Sequence, residues 1–489
     1  MNNTLPRAST GIPGLDDVLC GGFPARRLYL LQGSPGVGKT TLALQFLLEG
    51  RRLGESVLYI TLSETEEEIK QVAASHGWSL DGVHLYELSS LETTMRLDEE
   101  NTLYAPADVE LKETVRVLLK EIERTKPTRV VFDSLSEIRL LAQTAARYRR
   151  QLLSLKQFFI GKSCTVLLLD DHVERIADQQ VESLAHGVVV LEHIPTEYGP
   201  DRRRLRVGKL RGALFRSGYH DYAVRTGGLV VYPRLVAAEH RTDLAVETLR
   251  TGVDALDKMM GGGIDRGTAT LLIGPAGVGK SAVATQLVCA AAERGEVSAM
   301  FLFDERPATL YARASGLGIP LQEHVKAGRV IIHTVDPAEL APDEFVHLVR
   351  AAVEKGGARI VVIDSINGYF LAMPGDRVLT LQMHELLSYL AGHGVATIMT
   401  MAQAGIIVGV TSPIDVSYLS DNIVFFRYFE ARGRMRKAVS TVKRRAGKHE
   451  DAIRELTLGP GLSLGEPLTE FAGIFTGHPL WDGSSLPTK

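Results

Sequence analysis

The feature that most constrains this chain is a phosphate-binding loop that occurs twice. Gly33-Ser34-Pro35-Gly36-Val37-Gly38-Lys39-Thr40 fits G-x-x-x-x-G-K-[ST], and Gly274-Pro275-Ala276-Gly277-Val278-Gly279-Lys280-Ser281 fits it again. The first follows the apolar run Leu28 to Leu31 and opens a helix-like stretch beginning at Thr41; the second opens one at Ala282. In that setting the glycines let backbone N–H groups turn inward around a triphosphate, and the helix N-terminus adds a favourable dipole. Lys39 and Lys280 would reach the outer phosphates, and the hydroxyls of Thr40 and Ser281 would ligate Mg²⁺. Thr41 and Ala282, next in line, complete the predicted nucleotide contacts. One Gly-rich turn could resemble such a loop by chance. Two in matching contexts point to nucleotide binding, with ATP and Mg²⁺ as the implied ligands.

The loops belong to a larger repeat. Thr10-Gly11-Ile12-Pro13-Gly14-Leu15-Asp16 is echoed by Thr251-Gly252-Val253-Asp254-Ala255-Leu256-Asp257. Lys280 follows Lys39, and Gly252 follows Gly11, by the same 241 positions. Within each copy, apolar runs alternate with helical patterns. Continuous runs such as Val57 to Leu62 and Arg129 to Phe132 read as buried parallel strands. Val188 to Leu191 and Leu205 to Val207 read as antiparallel additions. The expected architecture is α/β, with two tandem domains, each a mostly parallel twisted sheet flanked by helices. The first domain is expected over 1–240 and the second over 241–475, with a flexible Gly/Ser/Pro-rich tail at 476–489. Ala237 to Arg250 reads as the linker.

Net charge is −3, so no global basic field draws the chain to nucleic acid or anionic membrane. Cys20, Cys164 and Cys289 are odd in number and widely spaced, which argues against a disulfide framework or a zinc site. The N-terminus lacks the apolar core of a signal peptide, and the apolar stretch near Gly394 to Val410 is too short to span a bilayer. A cytoplasmic location is the expectation.

Hydrolysis needs more than a loop. Asp133 and Asp364 each end an apolar strand, in Val-Val-Phe-Asp-Ser and Val-Val-Ile-Asp-Ser. A carboxylate there faces the ligand crevice, where the second Mg²⁺-side acid of such enzymes sits. Capping of the next helix is the alternative, and recurrence in both copies favours the metal. Candidate bases follow the next strand: Glu64 after Ser63 in the first copy, Asp304 and Glu305 in the second. Glu66, Glu67 and Glu68 read instead as an acidic first helical turn.

Two basic stretches, one late in each copy, run from Arg202 to Arg211 and from Arg432 to Arg445 and contain the pairs Lys209/Arg211 and Lys443/Arg445. They fit a solvated basic strand, a nucleic-acid patch, or cations offered to the phosphates of a neighbouring subunit.

With these residues in place the chain resembles the KaiC family, RecA-like tandem P-loop NTPases that are the ATPases and autokinases of the cyanobacterial circadian clock. The paired Thr-Gly openings, both loops, both strand-end aspartates, Lys209-Leu210-Arg211-Gly212 and Ala452-Ile453-Arg454-Glu455 carry the resemblance, over roughly residues 8 to 470. It implies a homohexamer with ATP at subunit interfaces, reached by Lys209, Arg211, Lys443 and Arg445 of a neighbour. It also implies Ser/Thr autokinase activity in the second domain, and signalling or clock partners. The chain departs from the family at three places. Two adjacent glutamates are replaced by Ser63-Glu64 in one copy and Asp304-Glu305 in the other. The family's adjacent Ser-Thr phosphosites correspond to Ser417 and Tyr418, leaving Ser417 as the candidate acceptor, with Thr411, Ser412 and Ser420 nearby. The tail that clock partners grip is shorter. The first domain is therefore expected to bind ATP for assembly, and the second to transfer phosphate.

Two rival functions fit the same motifs. A DNA-acting recombinase or helicase of the same fold would need basic channel loops, and Gly368 to Arg377 carries only Arg377. A non-catalytic, nucleotide-gated scaffold would bind ATP without turning it over.

Overall fold

The computed structural model describes residues 6–88, 106–171, 182–196, 198–240, 247–371, 378–403, 417–475 and 480–481. The chain divides into two compact units, Met1–Arg234 and Leu235–Lys489.

In the first unit, nine strands form one sheet. The order across it is Gly228–Tyr232, Tyr219–Arg225, Arg202–Leu210, Gly187–Ile194, Leu28–Gly33, Thr165–Asp171, Arg129–Asp133, Val57–Thr61 and His84–Glu87. The central strands are parallel. Their side chains alternate between two apolar clusters, which is why they read as unbroken apolar runs. Tyr29, Leu31, Tyr59 and Val131 join one cluster with the loop helix residues Leu42, Phe46 and Leu47. Leu28, Leu30, Ile60 and Phe132 face the other, against Leu118, Ile122, Leu152 and Leu155. Thr65 starts the helix Glu66–Ser75 with a capping box closed by Glu68. The acidic turn expected there is thus an N-terminal device.

The second unit repeats this order, from Val330–Thr334 at one edge to Gly461–Pro467 at the other. Its loop strand Ala269–Gly274 lies between Ala396–Ala402 and Asn422–Ala431. The Thr-Gly openings prove structural. Asp16 Oδ1 accepts from both Thr10 N and Thr10 Oγ1 at 2.8 Å, and Asp257 Oδ1 accepts from Thr251 N at 2.7 Å. Each aspartate closes a tight turn ahead of the loop strand.

Three details differ from expectation. Gly187–Ile194 pairs in parallel with the loop strand, so the sheet turns antiparallel one strand later than the sequence suggested. Ala237, the first residue of the stretch read as linker, is buried with Leu235 in a core cluster of the second unit. Ala237 N donates to Glu385 Oε2 at 2.9 Å. The expected tail contains Leu480–Trp481, a two-residue strand paired with Phe471–Ala472. The rest of 476–489 lies outside the described residues, as do Arg377, Thr411 and Ser412. No described helix is long and apolar enough to cross a membrane.

Candidate nucleotide sites

Each phosphate loop joins its strand to the helix that follows, Lys39–Arg52 or Lys280–Glu293. The turn into the helix needs a left-handed residue, and Gly38 (φ +99°) and Gly279 (φ +121°) supply it. The lysines are buried at 8% and 7% exposure, folded back over their loops. Lys39 Nζ donates to Gly33 O at 2.6 Å and Ser34 O at 3.1 Å. Lys280 Nζ donates to the matching carbonyls, Gly274 O at 2.8 Å and Pro275 O at 2.7 Å. Burial lowers the Lys280 ammonium to about 8, with Asp364 acting in the opposite direction. Each loop is braced by a tyrosine from a later strand of its own sheet. Tyr222 OH donates to Val37 O at 2.7 Å, and Tyr428 OH to Ala276 O at 3.3 Å.

The strand-end aspartates lie where the sequence placed them. Thr40 Oγ1 is 3.3 Å from Asp133 Oδ2, and Tyr59 OH donates to the same oxygen at 2.5 Å. Burial raises the Asp133 carboxyl, against the lowering effects of Tyr59, Lys39 and Thr40. Asp364 is buried as well and accepts from the Thr400 hydroxyl. A cis peptide follows both aspartates, at Asp133–Ser134 and Asp364–Ser365. A hydroxyl and a carboxylate at the mouth of a phosphate loop suit Mg²⁺, which takes few protein ligands and fills its shell with phosphate oxygens and water. Among the described residues no group of three or more His, Cys, Asp or Glu is arranged to hold a metal by itself.

The candidate bases sit differently in the two copies. Glu64 Oε2 is buried and has no hydrogen-bond partner among the described residues. Burial raises its carboxyl, and the charges of Asp133 and Glu68 add to that. In the second copy both acids are held. Ser365 Oγ donates to Asp304 Oδ2, and Arg313 Nη1 bonds Glu305 Oε1 at 2.6 Å. Val72 stands at the helix position matching Arg313, so that clamp has no counterpart at this position of the first copy.

Sequence reasoning missed one residue of the first site. Asp171 ends the strand beside the loop strand, in register with Gly33. Its Oδ1 lies 2.9 Å from Lys39 Nζ, and Ser136 Oγ donates to its Oδ2 at 2.9 Å. Burial would raise this carboxyl, but the hydrogen bond and charge of Lys39, with Ser136 and Arg139, hold it below its ordinary range. The matching residue of the second sheet, in register with Gly274, is Ala402. The unmatched acid in Asp170-Asp171, at the end of a strand flanking the loop, was the available signal.

The basic pairs lie at or just past the ends of strands Arg202–Leu210 and Arg434–Arg444. Lys209 Nζ donates to Glu182 O at 2.5 Å, and Lys443 Nζ to Ser420 O at 2.7 Å. Arg211 Nη2 donates to Ser183 O at 3.0 Å, and Arg445 pairs with Asp421 at 2.9 Å. Ser417 opens a single 3-10 turn, Ser417–Leu419, in which Tyr418 is exposed; Ser420 is fully buried, which removes it as an accessible phosphate acceptor.

The chain matches a family model described as "ATPase: KaiC" over residues 8–236 and again over 249–462. It is 24% identical to "Circadian clock protein KaiC3" of Synechocystis sp., covering 98% of this chain and 96% of that one. It is 25% identical to "Circadian clock oscillator protein KaiC" of Picosynechococcus sp., over 96% of this chain and 92% of the relative. A protein of the same name from Prochlorococcus marinus subsp. pastoris is 27% identical over 96% of this chain and 93% of its own length.

Proposed function

The chain belongs to the KaiC ATPase family, and we propose that both loops bind Mg·ATP while the second unit carries out most of the phosphoryl transfer. The observation that carries this reading is the repeated set of loop lysine, loop hydroxyl and strand-end aspartate: Lys39, Thr40 and Asp133 in one unit, Lys280, Ser281 and Asp364 in the other. Bound Mg²⁺ would supply charge neutralisation to the phosphates, and these hydroxyls and aspartates are the residues fitted to hold it.

In the second unit, Asp304 and Glu305 stand two and three residues beyond the strand Val297–Leu302. A carboxylate there accepts the proton of an attacking water or hydroxyl. Asp304 is exposed and so open to an acceptor. In the first unit Ser63 offers no carboxylate at the matching position, which leaves Glu64 alone. The first site therefore serves mainly as a binding and assembly site. The acceptor is water or, in the autokinase reaction, the hydroxyl of Ser417.

The assembly is a homohexamer with nucleotide at subunit interfaces. Lys209, Arg211, Lys443 and Arg445 act on a neighbour's phosphates. Each lysine is already held at a strand end by a backbone carbonyl, at corresponding places in the two units. Signalling or clock-like partner proteins follow from the family.

The test is incubation of the purified chain with γ-labelled ATP, following assembly mass, released phosphate and protein-bound label together. ATP-dependent assembly with phosphate release supports the reading, and label lost in Ser417→Ala supports the autokinase. A monomer in saturating ATP sinks the hexamer, and no release above background favours the scaffold.

A further inference from the structure

An ammonium has three N–H donors. Those of Lys39 have three acceptors: Gly33 O, Ser34 O and Asp171 Oδ1. Lys280 makes the same two carbonyl contacts, and its unit has Ala402 in place of Asp171. The surroundings match closely enough for the comparison to be direct. Ser136, which holds Asp171 Oδ2, corresponds to Asn367, which clasps the backbone of Ala402 in both directions, at 2.8 and 3.2 Å. The neighbouring Asp170 is fully buried and bound through both oxygens by Arg139, at 2.9 and 2.7 Å. Arg139 thus binds the Asp170 carboxylate directly, while Asp171 is the carboxylate that Lys39 touches.

We propose that Asp171 is a specificity-determining residue of the first nucleotide site. Its carboxylate holds the Lys39 donor that a terminal phosphate would take, so this site favours the diphosphate over the triphosphate relative to the second site. A diphosphate leaves the Lys39–Asp171 pair in place. A triphosphate brings its added charge toward a lysine whose charge is already matched, and must either break the pair or lie beside a carboxylate. Both alternatives cost binding energy in a half-buried setting, where like charges are weakly screened. The inference rests on the reading of Gly33 to Thr40 as a nucleotide site.

The experiment uses the full chain carrying Lys280→Ala, so that only the first loop reports. Dissociation constants for ADP and for the β,γ-imido analogue of ATP are measured by calorimetry with Mg²⁺. Asp171→Ala is expected to shift the ratio toward the imido triphosphate by about tenfold, the size of one charge contact in such a site. Asp171→Asn, which keeps an acceptor without its charge, shifts it less. The reciprocal chain, Lys39→Ala with Ala402→Asp, shifts the second site toward ADP, and this arm stands even where the Asp171 variants fold poorly. An unchanged ratio in these variants overturns the proposal, as does an equal loss of both ligands, which would make Asp171 a structural support. Failure of the Lys280→Ala chain to bind either nucleotide would overturn the site reading itself, and the proposal with it.

Discussion

The Tyr59 hydroxyl and Asp133 Oδ2 lie 2.5 Å apart, with Thr40 Oγ1 3.3 Å from the same oxygen. The second unit has Met300 at the register position of Tyr59, and there Thr400 supplies the donor to Asp364 from the strand on the other side. Two different residues, on strands to either side, thus hold the corresponding aspartates of the two units. A buried carboxylate without such a donor would lose both charge and orientation.

Tyr59→Phe therefore weakens Mg²⁺-dependent nucleotide binding at the first site by about tenfold, since a hydrogen bond to a charged group is worth about 1.5–3 kcal/mol. Titrating Mg²⁺ against a fixed nucleotide in the Lys280→Ala chain measures it. Thr400→Val should have the same effect on the second site in the Lys39→Ala chain. An unaltered Mg²⁺ dependence in both would show that the donors do not position the acids.

Arg129 is 1% exposed and threads between Ser9 O, Phe46 O and Glu55. It also lies over the Phe46 ring, 4.6 Å from its centroid. Arg129→Met should destabilise the first unit by about 3 kcal/mol, because two carbonyls and a carboxylate lose their partner. Chemical denaturation followed at the first unit's transition checks this. A midpoint unmoved by the substitution would mean that the site relaxes around it.

His220 is fully buried, accepting from Arg234 N at 2.9 Å through Nδ1, so Nε2–H donates to Arg216 O at 3.2 Å. Burial depresses its ring to about 4 from the ordinary 6.5. The unfolded chain takes up the proton first as pH falls. His220 therefore contributes stability that is fully present above pH 6.5 and is lost on the way down to about pH 4. The loss is on the order of 3 kcal/mol. His220→Asn should flatten that part of the stability profile; a slope identical to the parent's between those limits would assign it to other groups.

The proposed sharing of sites between subunits has its own test. A chain with Lys280→Ala and a chain with Lys443→Ala/Arg445→Ala should each release little phosphate from the second unit. Mixed subunits pair an intact loop with intact neighbouring cations at some interfaces, and so recover part of the rate. No recovery on mixing would place Lys443 and Arg445 in their own subunit's site.

Much of this was legible in the residue order. A motif with fixed chemistry, repeated at constant spacing, carried both loops. Continuous apolar runs ending in Asp133 and Asp364 carried the parallel strands and the acids that cap them. Pairing that depends on distant segments did not show. Nothing near Asp171 in sequence announces Lys39, more than a hundred positions away, as its partner. The Thr-Gly openings announced the repeat, but not that they serve the turn that Asp16 and Asp257 close. Ala237 resembled linker because its apolar surface is small and is buried by the second unit's core.

The most direct measurement is inorganic phosphate release from saturating ATP by the parent chain, Lys39→Ala, Lys280→Ala and Asp304→Asn/Glu305→Gln. The account predicts turnover by the parent and loss of most of it in Lys280→Ala and in the double acid variant. Lys39→Ala should keep most of its turnover per assembled subunit while assembling poorly. Equal turnover in the parent and the double acid variant, or most of the release disappearing with Lys39 instead of Lys280, would contradict it.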